Sequence, residues 1–164
     1  MRILSLLLIV LLVACTEPKP KSGALPSATS VEPKQEKYLN EGTVTFHGKD
    51  GASVITFELA NTPREIEKGL MYRKHMPDSV GMVFKFPYPD MRSFWMKNTH
   101  ISLDIIFVNE LFEIVNIEEY AQPFSQYSLP STAPAMYVIE VNAGYSKKHG
   151  LGPGTKLEID YAGS

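Results

Sequence analysis

Apolar and polar residues alternate in short runs along most of the chain, and a period of two residues is typical of β-strands. Within Ser53–Ala60, for example, Ile55, Phe57 and Leu59 fall on one face of an extended backbone. Seven other runs are strand candidates: Thr43–His47, Gly81–Phe86, Ser93–Lys97, Leu103–Val108, Phe112–Glu119, Met136–Asn142 and Thr155–Asp160. About eight short strands with one or two short helices predict a mainly β domain, built as an antiparallel sandwich or barrel.

Two short helices and one tight turn are expected between these strands. Thr62 is a favourable N-cap, Pro63 suits the first helical position, and Glu65 completes a capping box, so a helix is predicted to begin at Pro63. Gly144–His149 is the second helix candidate. The segment Asn109-Glu110-Leu111 should turn a hairpin.

One connection is longer than the others. Tyr120–Ala135 contains three prolines and several serines, and a loop of this length inside a compact domain is often functional. The alternative is a packed surface loop that Phe124 and Tyr127 hold in place.

Residues 1–14 have the composition of an export signal. Arg2 is basic, and Ile3–Ala14 is apolar apart from Ser5. A helix of this length rises about 18 Å, too little to cross roughly 30 Å of hydrocarbon. The run therefore fits the apolar region of a signal peptide better than a membrane span.

The apolar run ends in Leu12-Val13-Ala14-Cys15, which resembles the lipobox of bacterial lipoproteins. The resemblance implies that Cys15 is acylated, becomes the first mature residue and anchors the protein to a membrane. Thr16 rather than aspartate follows, so in a Gram-negative envelope the outer membrane, facing the periplasm, is favoured. The alternative is an ordinary signal peptide in which Cys15 falls by chance.

The segment after the cysteine predicts a tether in front of a single domain. Residues 15–40 carry four prolines among Lys, Ser and Thr, without periodicity, so we expect a lipid-anchored disordered linker. Residues 41–164 form the predicted globular β domain. Cys15 is the one cysteine of the chain, so lipidation would leave a folded part without a thiol, which suits an oxidising envelope.

Composition and motifs exclude several classes of function. A formal net charge of −2 argues against strong attraction to nucleic acid. The four histidines show no spacing typical of a metal site, and no phosphate loop, nucleophile elbow or zinc-protease helix is present. We therefore expect no cofactor.

Four short motifs occur in a fixed order: Gly69-Leu70-Met71-Tyr72-Arg73, Gly81-Met82-Val83-Phe84, Phe94-Trp95-Met96-Lys97-Asn98-Thr99 and Leu103-Asp104-Ile105-Ile106-Phe107. Together they resemble the prokaryotic family catalogued as domain of unknown function 192, over roughly Val54 to Ile159. Glu140 and Gly144 also fit this family. The resemblance implies a compact, mainly β fold and frequent export signals, and it carries over no catalytic residue.

Asp104 is the first candidate for a functional site. Leu103–Val108 is otherwise apolar on both faces, which indicates a strand inside the sheet and a carboxylate that needs a partner. Arg73 is the expected partner, because guanidinium binds carboxylate in a bidentate manner, and Asn98 and Thr99 could add hydrogen bonds. The cluster would be either a ligand site or a structural polar cluster.

Trp95 and Met96 should point to opposite faces of an extended chain, so one is expected in the core and the other exposed. An exposed Trp95 near Arg73, Asn98 and Asp104 would suit a sugar or another small polar ligand.

Two further chemistries start from other residues. The thioethers of Met71, Met82 and Met96 are low-ranking candidates for Cu(I), against the usual role of methionine in a core. Asp104 and Glu140 could act as acid and base.

These residues lead to three functional hypotheses. The first is an envelope lipoprotein whose β domain binds a polar ligand, such as a glycan of the envelope, without catalysis. The second is a hydrolase that acts on envelope material through Asp104 and Glu140. The third is a structural or interaction module.

Overall fold

The computed structural model of the chain describes residues 38–163, so the predicted signal peptide, Cys15 and most of the predicted linker lie outside the described residues. The strands of this range are β1 (Gly42–Gly48), β2 (Gly51–Ala60), β3 (Val80–Asp90), β4 (Ser93–Phe94), β5 (Leu103–Val108), β6 (Ile114–Ala121), β7 (Leu129–Pro130), β8 (Ala135–Asn142) and β9 (Leu157–Tyr161). The helices are α1 (Pro63–Lys68) and α2 (Tyr145–Lys148). The prediction of a mainly β domain with short helices is confirmed.

Seven of the strands form one sheet in the order β6-β5-β8-β3-β2-β1-β9, while β4 and β7 pair separately. The pairs are antiparallel except for β2 and β3, which run parallel. Parallel neighbours need a long crossover connection, and residues 61–79, which include α1, supply it. The sheet is therefore mixed.

The two edge strands of this sheet meet where each of them begins. Glu113 and Lys156 form an isolated antiparallel bridge. Beside it, the N–H of Ile114 donates to the carbonyl of Thr155 at 2.9 Å. The sheet thus curls until β6 touches β9, which gives the described domain the form of a barrel.

Two apolar clusters stabilise the domain. The first draws on all seven strands of the sheet and fills the barrel, with Val44, Phe46, Ile55, Phe57, Val83, Ile106, Ile139 and Leu157 among its members. The second lies on the outer face of β3, β5 and β8, with Leu70, Met82, Phe84, Met96, Ile105, Phe107 and Val138 among its members. Because β5 supplies both clusters, all six of its residues are buried, as predicted for an interior strand.

Local signals fix α1 and the hairpin between β5 and β6. Thr62 Oγ1 accepts from the N–H of Glu65, and the carboxylate of Glu65 accepts from the N–H of Thr62, which confirms the capping box. At the hairpin, Asn109 Oδ1 accepts from the N–H groups of Leu111 and Glu113. No helix within the described range is long and apolar enough to cross a bilayer.

The predicted strand Ser93–Lys97 is shorter in the structure, because strand pairing ends at Phe94 and the chain turns at Lys97 and Asn98. The N–H of Met96 donates to Ser125 at 2.9 Å, the N–H of Thr99 donates back to Met96 at 3.1 Å, and Asn98 has φ of 57°. Even so, Met96 is fully buried and Trp95 is 45% exposed, as the alternation predicted.

The long connection after β6 is held by backbone pairing and by one of its two predicted aromatic anchors. Phe124 packs edge to face against the ring of His100, with centroids 4.8 Å apart, whereas Tyr127 is 83% exposed and does not hold the loop as expected. The pairing of β7 with β4 and the bond from the N–H of Met96 to Ser125 fix this segment beside Trp95.

Candidate functional site

A cavity of about 350 Å³ opens on the outer face of the sheet, where the second cluster lies. It is bounded by α1 and the turn after it on one side, and by the end of β3 and the segment around β4 on the other. Its apolar walls include Leu70, Met71, Phe84, Phe86, Phe94 and Trp95. Thr99 and Glu140 add polar groups. A volume of about 300–1,000 Å³ with few polar groups is typical of small-molecule sites.

Glu140 supplies a carboxyl group to this cavity from β8. It lies between Met82 of β3 and Ile105 of β5 in the sheet register, and both neighbours belong to the second apolar cluster. Its side chain is almost fully buried, and Oε2 has no hydrogen-bond partner among the described residues. Burial raises the pKa of Glu140 to about 8, because desolvation disfavours the charged form.

Trp95 lies at the edge of the cavity, directly after β4. Its indole is part exposed, and the ammonium of Lys97 lies 4.9 Å from the ring centroid. Its neighbour Met96 is fully buried, and consecutive side chains of an extended chain point in opposite directions, so the indole of Trp95 points outward. Trp95 therefore offers an aromatic surface beside the cavity that Glu140 lines.

Gly69 ends α1 and forms part of the cavity wall. Its φ of 45° lies in the left-handed region. A Cβ at this position would lie 3.1 Å from the ring of Phe84 and 4.0 Å from Oε2 of Glu140. Glycine thus lets the backbone approach the carboxyl closely. The sequence shows this glycine at the start of Gly69-Leu70-Met71, but it does not show that the carboxyl of Glu140 lies beside it.

Arg73 binds Glu58 rather than Asp104, so the predicted pairing of Arg73 with Asp104 is wrong. Its guanidinium donates to both oxygens of Glu58, at 2.7 and 3.0 Å, and both side chains are mostly buried. The ring of Tyr38 lies 5.0 Å from the guanidinium carbon. Sequence reasoning missed Glu58, because the contact depends on the path of the crossover between β2 and β3, which carries Arg73.

Asp104 is fully buried and accepts hydrogen bonds from three backbone N–H groups. Oδ1 accepts from Tyr120 at 3.0 Å, Oδ2 accepts from Ser146 at 2.9 Å, and the N–H of Gly144 lies 3.1 Å from both oxygens. The carboxylate therefore joins the start of β5 to the end of β6 and to α2. This arrangement matches the structural alternative for Asp104.

Asp104 and Glu140 do not face one another. Asp104 pairs with Val141, which belongs to the barrel interior, whereas Glu140 pairs with Ile105 of the second cluster. Residues opposite one another in a sheet project from the same face, so the two carboxyls project from opposite faces. The structure does not bring the predicted acid and base together.

Asn98 and Thr99 occupy the turn after Met96, and only one of them lines the cavity. Thr99 is buried, lines the cavity and donates from its hydroxyl to the carbonyl of Lys97 at 3.3 Å. Asn98 instead donates from Nδ2 to the hydroxyl of Tyr72 at 2.9 Å, and its carbonyl accepts from the N–H of Tyr72. Asn98 thus braces the turn that carries Thr99.

The three methionines considered as Cu(I) ligands divide between the apolar cluster and the cavity wall. Met82 and Met96 are buried members of the second apolar cluster. Met71 lines the cavity, and its Sδ lies 3.9 Å from Nδ2 of Asn98. Among the described residues, His, Cys, Asp and Glu form no group of three or more that could hold a metal ion.

The family of the chain is defined by a match over residues 44–159 to domain of unknown function 192, described as an uncharacterized ACR. The chain belongs to this family. The match runs from within β1 to within β9 and includes every cavity residue discussed above. No curated protein is significantly similar to the chain.

Two crystal structures of similar proteins share this fold. One is a protein of unknown function from Novosphingobium aromaticivorans DSM 12444, at 43% identity and a TM-score of 0.69, covering 71% of this chain and 83% of that chain. The other, from Sinorhizobium meliloti 1021, is named as a candidate transcription regulator, at 37% identity and a TM-score of 0.71, covering 76% of this chain and 97% of that chain. This second match covers nearly the whole of that chain.

Proposed function

We propose that the chain is an envelope lipoprotein whose β domain binds a small polar ligand without catalysing a reaction. One observation carries the proposal: an open cavity whose lining includes the buried carboxyl of Glu140, whose Oε2 has no hydrogen-bond partner among the described residues. Buried polar groups in proteins normally have partners, and sites for small molecules pair apolar walls with a few such groups. Trp95 adds an aromatic surface at the edge of this cavity.

Binding is preferred over hydrolysis because of where the two candidate carboxyls lie. A glycosidase needs both carboxyls on either side of one scissile bond. Asp104 projects from the opposite face of the sheet to Glu140 and is occupied by three backbone N–H groups. The hydrolase that we considered from the sequence would lack its second catalytic group.

Trp95 gives a direct test of binding, because it is the single tryptophan of the chain. Residues 36–164, which form one compact unit, would be titrated with envelope saccharides, amino acids and small amines. We expect at least one compound to change the Trp95 fluorescence and to shift the amide resonances of Gly69, Thr99 and Glu140.

A matched control separates the cavity from the remaining surface. Leu111→Ala alters an exposed side chain in the β5–β6 hairpin and should leave the titration unchanged. Met71→Trp would fill the cavity and should abolish the resonance shifts. If every compound leaves the cavity resonances unmoved at millimolar concentration, the binding proposal is wrong.

The membrane anchor is tested on the full chain in a Gram-negative host. Cells grown with an alkyne fatty acid should yield labelled protein, and Cys15→Ser should lose the label, because the thiol accepts the diacylglyceryl group. A variant that keeps the label after Cys15→Ser would overturn the lipoprotein proposal and leave the binding proposal standing.

A further inference from the structure

The aromatic walls of the cavity and the carboxyl of Glu140 indicate which class of small molecule the cavity binds. We propose that the cavity binds an organic primary amine, with the ammonium group against Glu140 and the carbon skeleton along the rings of Phe84, Phe94 and Trp95. This inference rests on the proposed binding function, and it adds the class of the ligand.

The argument starts from the surroundings of Glu140. Its cross-strand neighbours Met82 and Ile105 are apolar, and Phe84 lies on the same wall of the cavity. Only 5% of the residue is exposed, and Oε2 has no partner among the described residues. A buried carboxylate is costly unless a cation or several donors reach it, and an ammonium group satisfies both needs.

The aromatic walls favour the same class of ligand. Phe84 and Phe94 meet edge to face, with ring centroids 5.0 Å apart, so their surfaces are fixed in orientation. Aromatic rings attract cations through their faces. Two cations of the chain already use rings here: Arg92 lies 3.9 Å from the centroid of Phe86, and Lys97 lies 4.9 Å from that of Trp95.

Neither these cations nor the other charged side chains of the cavity reach Glu140. The guanidinium of Arg92 donates to the carbonyls of Ala135 and Tyr88. Glu67 and Lys68 line the cavity from α1 as exposed side chains. Lys68 and Arg92 line the mouth of the cavity and Lys97 lies beside it, whereas Glu67 is the one exposed carboxylate that the described residues place in the lining. A ligand whose far end is neutral or anionic should therefore bind better than a diamine.

Amine binding would also move a proton. Burial holds the pKa of Glu140 near 8, so at pH 7 the carboxyl is mostly protonated. An ammonium group beside it favours the ionised form, so the carboxyl loses its proton to solvent as the ion pair forms. Affinity for an amine should therefore rise between pH 6 and pH 8, whereas affinity for a neutral molecule should not.

The test uses three probes of matched length on residues 36–164: pentylamine, 1-pentanol and 5-aminopentanoate. Trp95 fluorescence measures affinity, and calorimetry in buffers of different protonation enthalpy counts the protons released. We expect both amines to bind roughly tenfold or more tighter than the alcohol and to release close to one proton at pH 7. 1,5-Diaminopentane should bind more weakly than 5-aminopentanoate.

Glu140→Gln should remove both the preference for amines and the proton release. Glu158→Gln, an exposed change on β9, is the matched control and should keep both. If Glu140→Gln does not fold, the proton count of the unaltered domain decides by itself.

Two outcomes distinguish the amine inference from the proposed function. If saccharides or alcohols bind in the cavity as tightly as amines, or no proton is released, the amine inference is wrong and the binding function remains. If neither these probes nor the saccharides and amino acids of the first titration enter the cavity, both are wrong.

Discussion

Glu58 and Glu140 lie on either side of Met82 on the outer face of the sheet, and residues 38–163 supply an arginine to the first and no cation to the second. Glu58 pairs with Met82 in the β2–β3 register, and Met82 pairs with Glu140 in the β3–β8 register. Arg73 binds both oxygens of Glu58, while Oε2 of Glu140 has no partner in the described domain. The same face therefore holds one satisfied carboxylate and one carboxyl left to the cavity.

Arg73→Met should lower the free energy of unfolding by about 2–3 kcal/mol, because it leaves the mostly buried carboxylate of Glu58 without its cation. The double variant Glu58→Leu/Arg73→Met should be more stable than Arg73→Met alone, since no unpaired charge remains. Urea unfolding of the unaltered domain, Glu58→Leu, Arg73→Met and the double variant measures the coupling energy between the two side chains. Additive losses would mean that the ion pair contributes nothing specific.

Asp104→Ala should cost about 3 kcal/mol of unfolding free energy, because three buried N–H groups lose their acceptor. Asp104→Asn should cost less, since one amide oxygen remains to accept, while its NH₂ group opposes a backbone donor. Thermal or urea unfolding measures both. Asp160→Ala, an exposed change on β9, is the control, and a similar small effect for Asp104→Ala would contradict the bracing role.

The sequence predicted best what depends on neighbouring residues. The capping box of Thr62 and Glu65 and the opposite placement of Trp95 and Met96 are local consequences of composition and alternation, and both are confirmed. The resemblance to domain of unknown function 192 is confirmed as well. Local patterns carry this information because side-chain direction follows directly from backbone geometry.

Long-range pairing set the limit of sequence reasoning. Arg73 is the expected partner of Asp104 because guanidinium binds carboxylate in a bidentate manner, but the crossover between β2 and β3 carries Arg73 to Glu58 instead. The partners of Asp104 are backbone N–H groups, which every residue type except proline carries, so no pattern of side chains could identify them. Glu140 was named from the sequence, but its place in a cavity depends on the register of β8.

Thr62→Ala should destabilise the domain by about 1 kcal/mol, because the N–H of Glu65 loses the acceptor that the threonine hydroxyl provides. Thr62→Ser keeps an equivalent oxygen and should be nearly neutral. Since α1 forms one wall of the cavity, amide exchange at Ile66 and Gly69 should quicken in the alanine variant alone. Equal stability of the alanine and serine variants would remove the capping hydroxyl as a stabilising contact.

Glu140 should make the stability of the domain fall as the pH rises from about 5 to 8. Burial raises the pKa of Glu140 to about 8 in the folded chain, against an ordinary value of 4.5. Between pH 4.5 and pH 8 the carboxyl of Glu140 keeps its proton in the folded state and has lost it in the unfolded state. The stability that this proton contributes is complete below pH 4.5 and is lost as the pH passes through 8. The slope approaches roughly 1.4 kcal/mol per pH unit.

Urea unfolding of the unliganded domain at pH 5, 6.5 and 8 measures this slope, and Glu140→Gln isolates it, because glutamine keeps the shape and cannot ionise. The difference in stability between the variant and the unaltered domain should grow in favour of the variant as the pH rises. A saturating amine should reduce that difference at pH 8, since it pairs with the ionised carboxylate. If the unfolding free energies of the two proteins changed with pH in parallel, the pKa of Glu140 would be the same in the folded and unfolded states. Burial would then not disfavour the charged form of Glu140, and the argument for a cationic ligand would fail.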